Sequence, residues 1–233
     1  MNELNEGKKA KELENNKYFS KEIKDDLNLK LNPVAIKFIL NIEDIPKNID
    51  KLEEKIRHCE MVQKATDGEI FYTTANEQMC KGGSSTLGLE EVPEKIASGE
   101  FYYNLGRFSS LDSAKNTLDS IPKIDFQSYG ILYSPLEKAN FIPDVVIIIT
   151  NTAQAMRISQ AIVYKLHGRI EADFSGIQSI CADAVAGPFI NKKPNVTLGC
   201  SGSRQYADIK DEEVIIGLNG ENLTHIVEAL NDI

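Results

Sequence analysis

An α/β or α+β fold, a mixed sheet flanked by helices, is what this chain of 233 residues predicts, and three observations carry that expectation. Segments of strand character alternate with segments of helical spacing along the whole length, which favours a layered sheet domain over a bundle or a sandwich. Residues 144–150 include an uninterrupted, largely β-branched apolar run, as expected of a central strand covered on both faces. The four cysteines fall in two similar units, which points to an internal duplication.

Composition bounds the rest. With 42 % hydrophobic residues the chain is long enough to bury one core without disulfides or a structural metal, so a cysteine cluster needs another reason. The balance of 26 Lys and Arg against 35 Asp and Glu, a net charge of −9, argues against nucleic acid and anionic membrane as partners. No apolar run reaches the roughly 20 residues of a membrane span, and the opening residues 1–16 carry no apolar stretch of the signal-peptide kind. A cytoplasmic location is therefore expected. In a reducing compartment four cysteines read as free, metal-bound or catalytic.

Taken in order, residues 1–30 form a polar N-terminal extension ending in a short amphipathic helix, and residues 31–233 form a single α/β domain. Residues 32–40 read as a strand with Pro33 at its start, where a missing donor is tolerated. Residues 52–66 are expected as a helix with Leu52, Ile56, Cys59 and Val62 on one face. Strands follow at 69–74 and 101–106. Ser110 caps a helix carrying Leu111, Ala114, Leu118 and Ile121. After a short strand at 130–133 and the central strand, Asn151 and Gln154 stand at N-cap and N3 of a helix expected to reach His167. A strand at 169–174, a helix around 176–186, strands at 195–200 and 213–218 and a final amphipathic helix complete the pattern.

The cysteines give the sharper signal. Cys59 on a helix is followed by a turn, a strand and then Cys80-Lys-Gly-Gly; Cys181 on a helix is followed by a turn, a strand and then Cys200-Ser-Gly-Ser. The intervening segments, 60–79 and 182–199, are 20 and 18 residues long. A pseudo-twofold arrangement of two such units would bring all four sulfurs to one place. Each helical cysteine taken singly is equally well read as a small core residue. Cys80 and Cys200 sit in glycine-containing turns, where Gly82 and Gly83 let backbone amides approach a ligand. Arg57, His58, Lys81 and Arg204 add positive charge that would favour thiolates or an anionic metal centre.

The motif set Pro33-Val-Ala-Ile-Lys, Cys59, Cys80-Lys-Gly-Gly, Leu87-Gly-Leu, Pro143-Asp-Val-Val, Asn151-Thr-Ala-Gln, Cys181-Ala-Asp-Ala-Val, Cys200-Ser-Gly-Ser-Arg and Asp211-Glu-Glu-Val resembles the family of domains of unknown function numbered 169. That family is widespread in archaea and anaerobic bacteria. The resemblance spans about residues 30–231. It implies cysteine at all four positions and no settled biochemical activity. Thr152 stands where the family pattern has proline, a departure the first position of a helix tolerates.

Four candidate ligands from distant loops suit an iron–sulfur cluster, [4Fe–4S] in particular, held by Cys59, Cys80, Cys181 and Cys200. Zinc is the weaker expectation, because no short Cys-x₂₋₄-Cys knuckle occurs. The role would be redox, sulfur chemistry or electron transfer. The alternative is a metal-free thiol enzyme or small-molecule binder with Cys80 or Cys200 as nucleophile beside Lys81 or Arg204. His58, His167 and His225 are the available bases, and none can be paired with a cysteine from spacing. Asn151 and Gln154 mark a second ligand-pocket candidate at a strand end, although a plain capping box explains both side chains. Walker, GxGxxG, HExxH and GxSxG motifs are missing in usable context. A redox partner protein, a small-molecule substrate or a second copy of the chain remain open as partners.

Overall fold

The computed structural model describes residues 2–166 and 168–233; His167 lies outside them. Among the described residues, ten α-helices and six strands follow one another in mixed order. The strands are β1 (Val34–Ile39), β2 (Phe71–Thr73), β3 (Gly130–Pro135), β4 (Val145–Asn151), β5 (Asn195–Thr197) and β6 (Glu213–Asn219). The helices are α1 (Asn2–Leu27), α2 (His58–Thr66), α3 (Lys81–Thr86), α4 (Glu94–Ala97), α5 (Glu100–Asn104), α6 (Leu111–Ser120), α7 (Thr152–Leu166), α8 (Gly187–Asn191), α9 (Ser201–Tyr206) and α10 (Leu223–Asp232). A π-helical stretch, Ser179–Ala186, precedes α8.

The strands form one sheet in the order β2-β3-β1-β4-β6-β5, and its ladders are antiparallel. Two isolated parallel bridges, Lys51 to Tyr72 and Ile56 to Gln78, extend the β2 edge. The duplication is visible in this order. Each half contributes three strands whose last member, β3 or β6, lies between the other two. The halves join through β1 and β4, paired Val34 to Ile147, Ala35 to Val146 and Ile36 to Val145. An axis through that central pair relates β1 to β4, β2 to β5 and β3 to β6.

Strand alternation divides the core. Val146 and Ile148 of β4 face α1, α7 and α10, whereas Val145, Ile147 and Ile149 face α2 and the π-helix, so the strand is covered on both sides. The boundary expected at residue 30 does not divide the core: Phe19, Ile23 and Leu27 of α1 are buried in the same cluster as α7 and α10.

Three local expectations need correction. Residues 51–56 are extended along β2, with Leu52 N–H donating to the Tyr72 carbonyl at 2.9 Å, so α2 begins only at His58. Residues 101–106 are not a strand but mostly helix α5. Its N-cap, Gly99, has φ +84° and lies where a Cβ would come within 2.7 Å of Lys115 N, so the chain turns sharply against α6. Residues 169–174 are irregular because a side chain replaces a ladder: Asn195 accepts from Asp173 N–H at 3.0 Å and donates to its carbonyl at 2.8 Å.

Candidate functional site

The cysteine-bearing elements all lie on the face of the sheet opposite α1, α7 and α10. There α2 of the first half packs against α9 of the second, and α3 of the first packs against the π-helix of the second. These two contacts are equivalent under the pseudo-twofold relation. Their consequence is a cavity of about 370 Å³ whose wall includes Cys59, Cys80, Cys181 and Cys200 together.

Local chemistry shapes each thiol. Cys80 and Cys200 are the N-caps of α3 and α9, and each sulfur accepts the amide of the third helical residue, Gly83 at 3.4 Å and Ser203 at 3.5 Å. Gly83 lies against two of the cysteines, since a Cβ there would meet Cys181 Sγ at 3.6 Å and Cys80 Sγ at 3.7 Å. The Cys181 thiol donates to the Gln178 carbonyl at 3.3 Å from within the π-helix, a geometry frequent at functional sites.

Three of the sulfurs differ in their electrostatic surroundings. Burial, then the neighbouring Cys200 and Cys80, push the Cys59 thiol up to about 12. Cys181 is raised well above the ordinary thiol value by burial and by Cys80 and Cys200. Burial acts the same way on Cys200, but the polar groups of the neighbouring Ser179 and of Ser203, whose amide donates to the sulfur at 3.5 Å, more than offset it, leaving its pKa lowered. The surroundings of Cys200 thus favour its thiolate, whereas those of Cys59 and Cys181 favour the protonated thiol.

Sequence reasoning missed several wall residues. Gln178, in the left-handed region at φ +51°, bridges the two halves: its Oε1 accepts from Thr86 Oγ1 at 2.5 Å and its Nε2 donates to Tyr102 OH at 3.1 Å. No periodicity marks such a residue. His58 lines the cavity but is buried, with Nδ1 2.8 Å from Tyr133 OH, and burial lowers its pKa to about 3. It is therefore neutral at pH 7.

Other expected ligand-binding residues stand elsewhere. Asn151 and Gln154 form a reciprocal capping box at 3.0 and 2.9 Å, Gln154 Nε2 also donates to the Leu27 carbonyl at 2.8 Å, and neither reaches the cavity. The Arg204 guanidinium donates to the carbonyls of Leu198, Lys210 and Glu213, a clamp on the turns around α9 that leaves it outside the cavity wall. Lys81 pairs with Glu90 at 2.6 Å. Gly82 is adjacent to the cavity, where a Cβ would press on Gln178 Nε2 and Tyr102 OH at 3.0 Å each. Among the described residues, no group of three or more His, Cys, Asp and Glu side chains is spaced to hold a metal ion. None of their helices is long and apolar enough to cross a membrane.

Comparison with known proteins bears on this geometry. The model of a family described as Uncharacterised ArCR, domain of unknown function 169, matches residues 22–229. An archaeal protein of Methanocaldococcus jannaschii, described as uncharacterized protein MJ0308, is 46 % identical over 199 residues, 84 % of this chain and 85 % of that one. No solved structure matches. The family match encloses both halves of the sheet and all four cysteines, and the chain belongs to the DUF169 family.

Proposed function

We propose that the chain binds a [4Fe–4S] cluster through Cys59, Cys80, Cys181 and Cys200 and serves in electron transfer or in redox or sulfur chemistry. The observation that carries this reading is that cysteines from two remote halves line one cavity. Four thiolates match the four irons of a cubane. Zinc remains the weaker reading because the sequence has no short Cys-x₂₋₄-Cys knuckle. The amides of Gly83 and Ser203 on two of the sulfurs would favour thiolate ligation. When bound, a cluster of this type supplies one-electron transfer. The raised thiols of Cys59 and Cys181 also fit, because coordination supplies the positive charge that their burial demands.

Purification without oxygen, followed by iron and sulfide analysis and an absorbance spectrum, tests the proposal. The expected result is about four irons per chain with a broad shoulder near roughly 400 nm. A colourless, metal-free protein with four free thiols would overturn it. The lowered Cys200 thiol favours a second reading, a metal-free thiol enzyme with Cys200 as nucleophile. In that case Ser179 and Ser203, not Arg204 or Lys81, activate it.

A further inference from the structure

Above the cysteines, the cavity has an outer part with a different character. In a chain of net charge −9, the wall carries, among the described residues, two arginines and no carboxylate. Arg57 is already committed: its guanidinium stacks 3.4 Å above the Tyr206 ring and donates to Glu60 at 3.0 Å. Arg107 is exposed; its backbone amide donates to the Tyr102 carbonyl at 3.2 Å, while its guanidinium, among the described residues, makes no ion pair or hydrogen bond. It follows Gly106, whose φ of +67° turns the chain directly after α5. Helix α5 itself is held to the cavity by the Tyr102 hydroxyl on Gln178. Around the same cavity Phe101, Leu105 and Tyr206 leave 46 %, 55 % and 43 % of their surface exposed. Single exposed apolar residues are ordinary, but three of them with one unpaired guanidinium around a concave site are the usual furniture of a ligand pocket.

We infer that this outer part binds a small organic carboxylate with an apolar body. The carboxylate pairs with Arg107, whose planar fork matches it in two hydrogen bonds, and the body lies against Phe101, Leu105 and Tyr206. The absence of carboxylates from the wall removes the repulsion that the chain's overall charge would otherwise impose. This inference names a ligand class for the cavity of the proposed cluster, yet it rests on the rim and does not require the cluster.

The test is calorimetric titration of anaerobically purified protein with phenylacetate, with phenylacetamide as the neutral isostere and with acetate, iron content being measured on the same sample. Phenylacetate is expected to bind below about 1 mM, at least about tenfold tighter than either comparison compound. Arg107→Gln should remove the preference for phenylacetate over phenylacetamide while leaving the affinity for phenylacetamide and the iron content unchanged. Equal affinities for phenylacetate and phenylacetamide, acetate binding as tightly as phenylacetate, no binding by about 1 mM, or a preference that survives Arg107→Gln would each overturn the site. Iron content reads the cluster separately: a metal-free protein that keeps the Arg107-dependent preference would sink the cluster and not this site.

Discussion

Cys80 and Cys200 occupy equivalent positions in the two halves of the molecule, each capping a short helix with its sulfur and each accepting an amide, at 3.4 Å from Gly83 and 3.5 Å from Ser203. A cysteine is a poor cap compared with serine or aspartate. Its presence at both places gives up some helix stability for two sulfurs held toward a common cavity.

The four-ligand proposal predicts that Cys59→Ser, Cys80→Ser, Cys181→Ser and Cys200→Ser each lower iron content, measured per chain after anaerobic purification, with thermal melts as the check on folding. If three of the four leave iron unchanged, the model of four ligands is wrong. If one alone is dispensable, that position marks an open iron, and substrate activation gains over electron transfer.

In the metal-free chain the thiols should separate by reactivity. Cys200, partly exposed and lowered by Ser179 and Ser203, should alkylate with iodoacetamide at pH 8 about 100-fold faster than buried Cys181, with Cys59 also slow. Peptide mass spectrometry over a time course gives the order, and Cys181 reacting first would contradict the description of the cavity.

Gly217 of β6 lets the π-helix lie directly on the sheet, because a Cβ there would come within 2.1 Å of the Ala184 carbonyl oxygen. Gly217→Ala should therefore cost about 1–3 kcal/mol in chemical denaturation by forcing the backbone apart. It should also lower iron content, since Cys181 moves with the π-helix. A variant as stable as the parent would mean that the π-helix yields without strain.

Glu77 predicts a pH signature. Burial by itself would raise its carboxyl, but the Thr74 amide and hydroxyl, both at 2.8 Å, and Lys51 Nζ at 3.1 Å more than offset that and hold it below the usual value. A depressed acid adds stability that is present above its unfolded pKa and lost as pH falls through the folded one. Glu77→Gln should be less stable than the parent by about 1–2 kcal/mol at pH 7, with the gap closing as pH falls from about 5 to about 3. Denaturant midpoints across that range measure it, and a gap independent of pH would remove the carboxylate's role.

Much of the fold is legible in the sequence because the relevant physics is local. Alternation in residues 145–149 follows from the two-residue period of a strand, and Asn151 with Gln154 form a capping box between neighbours one turn apart. Where local preference was ambiguous, packing decided. The aromatic run Phe101-Tyr-Tyr suits strand or helix, and it became a helix because Gly99 turns it against α6 and Tyr102 reaches Gln178.

The sequence by itself determined the strands of the sheet in outline, the duplicated cysteine units and the residue types available to a site, although the strands it also suggested at 101–106 and 169–174 do not form. Tertiary structure alone decided that the sulfurs share a cavity, since this depends on β1 pairing with β4 and on α2 and α3 crossing to α9 and the π-helix of the other half. It also decided that Arg204 clamps backbone carbonyls while Arg107 is left unpaired at the cavity. For the shared cavity the physical reason is sequence distance: contacts between residues a hundred or more positions apart leave no trace in a periodicity that decays within a few turns of chain. The Arg204 contacts are local in sequence, 6 to 9 residues away, but depend on irregular turns around α9 that carry no periodicity.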